Sequence, residues 1–300
     1  MQVARGVGPA GIDIAYEQFG EPEAPPVLLI MGLGAQMLAW PDQFCVTLAG
    51  HGLHVIRFDN RDVGLSSHMT DAPPPDVQAA LLGRTSSASY TLSDMAADAI
   101  GLMDALGFDG AHLVGVSMGG MIAQTAAIEH PQRVRSLTSI MSTTGDQSVG
   151  RPTQAALTAL LSPPARTREE AVERTLRILH VIGSPGFDID EPEIRRRTGV
   201  AYDRADDPIG VGRQLVAIAA SGDRTAALRS VAAPALVLHG AADPLVDVSG
   251  GRATARAIPG AEFVAFAGMG HDLPRPLWGE ITRHIAELVR RAEAGAVTPL

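Results

Sequence analysis

Seven short runs of apolar and β-branched residues recur along this chain: GIDIAYEQF (11–19), PPVLLIM (25–31), HVIRFD (54–59), AHLVGVS (111–117), RSLTSIMS (135–142), PALVLHG (234–240) and AEFVAFAG (261–268). Most are apolar without alternation, so each strand needs cover on both faces. Helix-length segments separate them, and helices on the two sides of a mostly parallel sheet supply that cover. The predicted fold is therefore a doubly wound α/β sheet. The first run alternates more than the others and reads as an antiparallel edge.

The helices carry legible ends. In TLSDMAADAIGLMDALGF (91–108), Met95, Leu102, Met103 and Leu106 share a face, Ser93 is placed to cap the start, and Gly107 sits where a left-handed stop is wanted. LWGEITRHIAELVRRAEAG (277–295) aligns Leu277, Ile281, Ile285 and Leu288, with Arg290 and Arg291 toward its C-terminal end. From about 145 to 230 the alternation stops, and three helical segments (167–183, 191–202 and 212–222) follow one another, the first opening with Thr167 and Glu170 at capping-box spacing. Residues 1–144 and 231–300 are thus expected to form the core domain, with 145–230 a helical cap inserted between two strands over their C-terminal ends. A detached helical domain is the alternative, but the flanking strands need one another as partners.

Net charge −9 and a pI near 5.4 leave polyanions little to bind, which argues against a nucleic-acid partner. The first residues, MQVARGVGPAGID, lack the apolar stretch of a signal peptide, and no segment approaches the roughly 18 apolar residues that span a bilayer. No membrane association and a cytoplasmic location are the expectation. The single Cys45 forms no disulfide framework and reads as a small buried hydrophobe. No internal repeat is present, and the sequence specifies no oligomeric state.

Chemistry enters at GVSMG, Gly115 to Gly119, where a strand meets a helix at a serine fenced by glycines. Such a nucleophile elbow strains the serine and exposes its hydroxyl, and the glycines admit the close approach of neighbouring chain. An ordinary strand-to-helix turn is the bland reading. A serine hydroxyl is a poor nucleophile at neutral pH and needs a base and an acid that orients it, in the chain order Ser, acid, His. Eight of the nine histidines fit strand starts, helices, turns or a strand end. His271 alone follows the last strand in a glycine-rich loop, AGMGHDLP, and is assigned as base. Asp243 in LVLHGAADPLV follows the preceding strand and is assigned as acid, with Asp146 in STTGDQ as a second candidate and Asp247 as a nearby decoy. The oxyanion donors are assigned to the backbone N–H of Met118 and, from the MGLG loop (31–34), of Leu33.

Together MGLG, FDNRDVGLS (58–66), GVSMGG, HGAADPLV and GMGHDLP resemble the α/β-hydrolase family, most clearly over 25–290. Within it, the stretch from MGLG to FDNRDVGLS, followed by GVSMGG, is similar to the branch of aclacinomycin methylesterase and related carboxylesterases. Met31 stands where the family usually has a histidine, a change that a backbone donor survives. The resemblance implies that Asp59 and Arg61 brace loops rather than perform chemistry. It implies ester hydrolysis through an acyl-enzyme on small to medium hydrophobic esters, with no metal or organic cofactor. Lactonase or cofactor-free perhydrolase chemistry would use the same triad, and a non-catalytic small-ligand receptor is the reading from another class. Trp40, Leu160, Leu161, Leu179 and Val181 are candidates for the apolar pocket.

Overall fold

The computed structural model describes residues 1–296, arranged around a single eight-stranded sheet. The strands are β1 (Gln2–Val7), β2 (Ile12–Phe19), β3 (Pro26–Ile30), β4 (His54–Phe58), β5 (Ala111–Val116), β6 (Val134–Ile140), β7 (Ala235–Gly240) and β8 (Glu262–Phe266), in the order β1-β2-β4-β3-β5-β6-β7-β8. Pairing is antiparallel for β1 with β2 and for β2 with β4, and parallel across the rest of the sheet. The α-helices are α1 (Asp42–Ala49), α2 (Val77–Leu81), α3 (Leu92–Ala105), α4 (Met118–Glu129), α5 (Gln154–Leu160), α6 (Arg168–Ile182), α7 (Glu191–Arg204), α8 (Pro208–Ser221), α9 (Val248–Ala257) and α10 (Trp278–Ala296).

Strand periodicity splits the core in two. Leu28, Ile30, Leu113 and Leu137 face a layer built by α3 and α4, whereas Val27, Leu29, Val114 and Leu236 face Phe44, Cys45 and Leu48 of α1 and Ile281, Ile285 and Leu288 of α10. Residues one apart on a strand point to opposite faces, which is why these runs are apolar throughout. Removing so many large side chains from water, at about 25 cal/mol per Å² of apolar surface, is the main favourable term for the sheet. Cys45 is fully buried, and burial pushes its thiol up to about 12, so it is no nucleophile.

Two expectations about strands and helix ends need correction. The run 11–19 is not the edge strand: β2 lies between β1 and β4, and β1, over QVARGV, covers it. β1 is polar, glycine-interrupted and mostly exposed, so no hydrophobic pattern announces it. Helix α3 is capped by Thr91 rather than Ser93: the Asp94 carboxylate accepts from the Thr91 N–H and hydroxyl, each at 2.8 Å. The helix begins at the fully buried Leu92, so Ser93 lies within its first turn and its hydroxyl instead donates to Glu129 at 2.6 Å. Gly107 does adopt the left-handed conformation, with φ +77°. At α6 the Thr167 hydroxyl accepts from the Glu170 N–H at 3.2 Å, but the Glu170 carboxylate accepts from the Arg166 N–H, so only half of a capping box forms.

Helices α5 to α8 all lie between β6 and β7, with no strand among them. The last is bound into the body of the molecule: Val216 and Ala217 of α8 are fully buried, and the helix packs on α2 and α3.

Candidate active site

The six parallel strands β4, β3, β5, β6, β7 and β8 end on one side of the sheet, and the segments following four of them meet there. Ser117 stands between β5 and α4 with φ +56° and ψ −120°, a conformation that non-glycine residues adopt at a cost of order 1–3 kcal/mol. Its N–H donates to the Ile140 carbonyl at 2.8 Å, tying the turn to β6. The glycines have a steric reason. A Cβ on Gly115 would stand 2.0 Å from the Gly119 carbonyl oxygen, and one on Gly119 would stand 2.1 Å from that of Ile30. The strand, the helix and β3 therefore approach as closely as backbone allows.

The loop after β8 brings His271 to this serine, Nε2 lying 3.1 Å from Ser117 Oγ. On the other side of the ring, Nδ1 is 2.7 Å from Asp243 Oδ2, in the loop after β7. Asp243 is buried, and its Oδ1 accepts the N–H groups of Leu245 and Val246 at 2.9 Å each. A carboxylate so supplied with donors stays ionised and accepts a hydrogen bond from Nδ1–H, which fixes the tautomer that leaves Nε2 free to accept from the serine. Asp146, the alternative acid, is elsewhere: its Oδ1 accepts the Ser148 N–H at 2.8 Å within its own turn, and that bond holds its carboxyl below the usual range. Asp247 caps α9, accepting the Ser249 N–H at 2.9 Å.

The loop after β3 crosses the front of the serine. A Cβ on Gly32 would lie 3.1 Å from Ser117 Cβ and 3.6 Å from its Oγ, so Leu33 follows directly on a residue touching the nucleophile. Met118 is the first residue of α4, where a backbone N–H has no acceptor within the helix. A hydroxyl, an imidazole, a buried carboxylate and a backbone loop thus converge at the C-terminal ends of neighbouring parallel strands.

A family model described as "alpha/beta hydrolase fold" matches residues 25–178, which include β3, the serine turn and α4. The chain belongs to the alpha/beta hydrolase fold family. It is 32% identical over 294 residues to rhodomycin D methylesterase DauP of Streptomyces sp. strain C5, covering 89% of this chain and 93% of that one. It is also 26% identical over 245 residues to 3-oxoadipate enol-lactonase 2 of Acinetobacter baylyi, covering 80% of each. Among solved structures, the enol-lactonase from Burkholderia xenovorans LB400 shares the fold with a TM-score of 0.72 at 23% identity, over 96% of this chain and all of that one. The chain is an enzyme, a hydrolase of the carboxylesterase type.

In this hydrolase the helical segment between β6 and β7 reaches the site at two places outside the residues assigned from sequence. One lies at the end of α6, where the Ile182 carbonyl accepts the His271 N–H at 2.7 Å and the Ser184 hydroxyl accepts the Gly270 N–H at 2.9 Å. Ser184 also donates to Asp272, whose carboxyl burial raises above the ordinary range. The other is Gln214 of α8, fully buried: its Oε1 accepts the Gly34 N–H and its Nε2 donates to the Arg61 carbonyl, both at 2.8 Å. Gly210, Arg213, Gln214 and Ala217 follow the i, i+3, i+4, i+7 rhythm of a buried face, so two long polar side chains on it were a legible signal of a tertiary partner.

The FDNRDVGLS turn supplies those partners. Asp59 accepts from Met37 N–H at 2.7 Å, Leu65 N–H at 3.0 Å and Arg204 of α7 at 2.8 Å, while Arg61 holds Asp98 through bonds of 2.6 and 2.7 Å. Both brace loops, as the resemblance implies. Asp62 takes Arg213 in a forked pair at 2.9 and 3.0 Å and the Tyr90 hydroxyl at 2.7 Å. Asp62, His68 and Asp207 stand close enough for one metal ion, but these acids are already engaged by Arg213, Tyr90 and His68.

A groove of about 1170 Å³ opens beside the site, lined near His271 by Met31, Val116 and Met141 and farther out by α7. Of the apolar residues picked from sequence, Leu179 lines it. Trp40 does not: it is fully buried and packs at a tilt against Phe44 with ring centres 5.2 Å apart. Leu160, Leu161 and Val181 lie off the groove. No helix among the described residues is long and apolar enough to cross a membrane.

Proposed function

We propose that this hydrolase cleaves carboxylic esters through Ser117, His271 and Asp243, with residues 145–230 acting as a cap over the site. The observation carrying this reading is the unbroken relay of 2.7 Å and 3.1 Å from Asp243 through His271 to a strained Ser117, with His271 and Val116 lining the adjacent groove. In the first step Ser117 Oγ attacks the ester carbonyl carbon and His271 Nε2 takes its proton; Asp243 stabilises the imidazolium. The N–H groups of Leu33 and Met118 receive the oxyanion. Collapse expels the alcohol, which takes the proton from His271 and leaves an acyl-serine. Water, deprotonated by the same imidazole, then releases the acid and restores Ser117. The substrate is a small-molecule ester, apolar next to the scissile bond, because Met31, Val116 and Met141 flank that part of the groove.

A lactone is the second candidate substrate, supported by the enol-lactonase relative. Its ring ester would open by the same two steps, with the alcohol still tethered to the acyl group. Ser117→Ala is expected to lower turnover of p-nitrophenyl esters by at least three orders of magnitude, with circular dichroism and thermal unfolding unchanged. Retained turnover would remove the serine mechanism. Comparing linear esters with lactones of equal carbon number on the wild-type enzyme ranks the two substrate classes.

A further inference from the structure

Helix α7 presents Arg197 to the groove that also holds His271. The other arginines lining this groove are answered by carboxylates. Arg57 pairs with Glu17 and, at 2.6 Å, with Asp42; Arg196 holds Glu193 through two bonds of 2.8 Å; Arg275 lies 3.8 Å from Asp190. Arg197 has no hydrogen-bond or ion-pair partner among the described residues, although it is only partly exposed. Burial holds its pKa below the ordinary arginine value, with Arg196 adding to that and the fields of Glu193 and Asp190 opposing it. A half-buried guanidinium whose five donors meet no acceptor has lost hydration without replacing it.

We propose that Arg197 binds a carboxylate carried by the substrate at a distance from the scissile ester. A planar, singly charged group matches the guanidinium fork with two parallel hydrogen bonds. The neighbouring Asp188, Asp190 and Glu193 would repel a doubly charged phosphate more strongly than a carboxylate. The same groove is also lined by the apolar side chains of Leu179, Ile194, Val200, Met31 and Met141. The substrate class is therefore an ester whose hydrophobic acyl part ends in a free acid, as in the half-esters of dicarboxylic acids. This inference rests on the esterase reading of Ser117.

The test measures monomethyl and dimethyl esters of straight-chain dicarboxylic acids of increasing length, with p-nitrophenyl acetate as reference, on wild type, Arg197→Met and Arg197→Lys. The wild type is expected to prefer the monoester at one chain length. Arg197→Met should raise KM for that monoester about 10- to 100-fold, leave its kcat within twofold, and leave the diester and p-nitrophenyl acetate unaffected. Arg197→Lys should restore part of the preference. Calorimetric binding of the same monoester to Ser117→Ala, with and without Arg197→Met, reads the interaction without turnover. Equal effects on monoester and diester, or none on either, would overturn the assignment of Arg197. Absence of p-nitrophenyl acetate hydrolysis by the wild type would instead overturn the esterase reading beneath it.

Discussion

At the scale of single residues, the site separates two acids that look alike in sequence. Asp243 and Asp146 each follow a parallel strand, each in a polar turn. Only Asp243 lies within a hydrogen bond of His271, and its second oxygen is held by two backbone N–H groups, so the carboxylate cannot swing away without losing both. Asp243→Asn keeps the shape of the side chain but offers Nδ1 a competing donor or a neutral acceptor. The imidazole then loses its fixed tautomer, and kcat for p-nitrophenyl esters is expected to fall by about 10³- to 10⁴-fold. Asp146→Asn should leave kcat within twofold. Steady-state kinetics on the two variants side by side checks the assignment, and a reversal of their effects would transfer the role to Asp146. His239 is a further neighbour of the relay, 3.6 Å from Asp243 Oδ2. Its Nε2 lies 2.8 Å from the Val246 carbonyl, and burial holds its pKa below the ordinary value, so it stays neutral behind the acid.

At the scale of elements, the noteworthy one is α8. Its N-terminal Asp207 accepts the Gly210 N–H at 2.8 Å, Arg213 grips Asp62, and Gln214 bridges the loop of Gly34 to the turn of Arg61. The loop carrying Leu33 is thus held from outside the sheet, by a helix about 180 residues away in sequence. Gln214→Leu fills the same space but leaves the Gly34 N–H and the Arg61 carbonyl without their partner. The cost is about 1–3 kcal/mol, read as a lower urea midpoint at unchanged slope. If the loop positions an oxyanion donor, kcat should fall about tenfold as well, with KM little changed. A variant that loses stability while keeping full kcat would show that α8 holds the fold together and plays no part in placing the donor.

At the scale of the whole molecule, burial sets the response to acid. His54, His112 and His239 all lie within the protein with pKa values below the ordinary histidine value, burial being the largest cause in each. His112 is lowered to about 4; its ring nitrogens lie 2.8 Å from Ser136 Oγ and 3.1 Å from Glu293, which joins β5 to β6 and to α10. Because the folded value lies below the unfolded one, the unfolded chain binds the extra proton first. Stability from this group is full above about pH 6.5, falls as the pH drops toward 4, and levels off below that. The loss is on the order of 3 kcal/mol at about 1.4 kcal/mol per unit. Urea unfolding at pH 7, 5.5 and 4 should show it, and His112→Gln should flatten the dependence; an unchanged slope in that variant would assign the acid sensitivity elsewhere. The sequence by itself determined the α/β alternation, the serine turn and the positions of Ser117, Asp243 and His271, each just after a strand. Those features are local: a buried strand must be apolar on both faces, and a tight strand-to-helix turn needs its glycines within two residues of the serine. The place of Asp243 after the strand preceding that of His271 already favours it over Asp146; tertiary structure alone decided that β1 covers β2, that Gln214 and Ser184 reach the site, and that Arg197 faces the groove unpaired. Each of those depends on which distant surfaces pack together, and spacing along the chain does not encode that: even where Gln214 falls on a periodic buried face, the pattern does not name its partner.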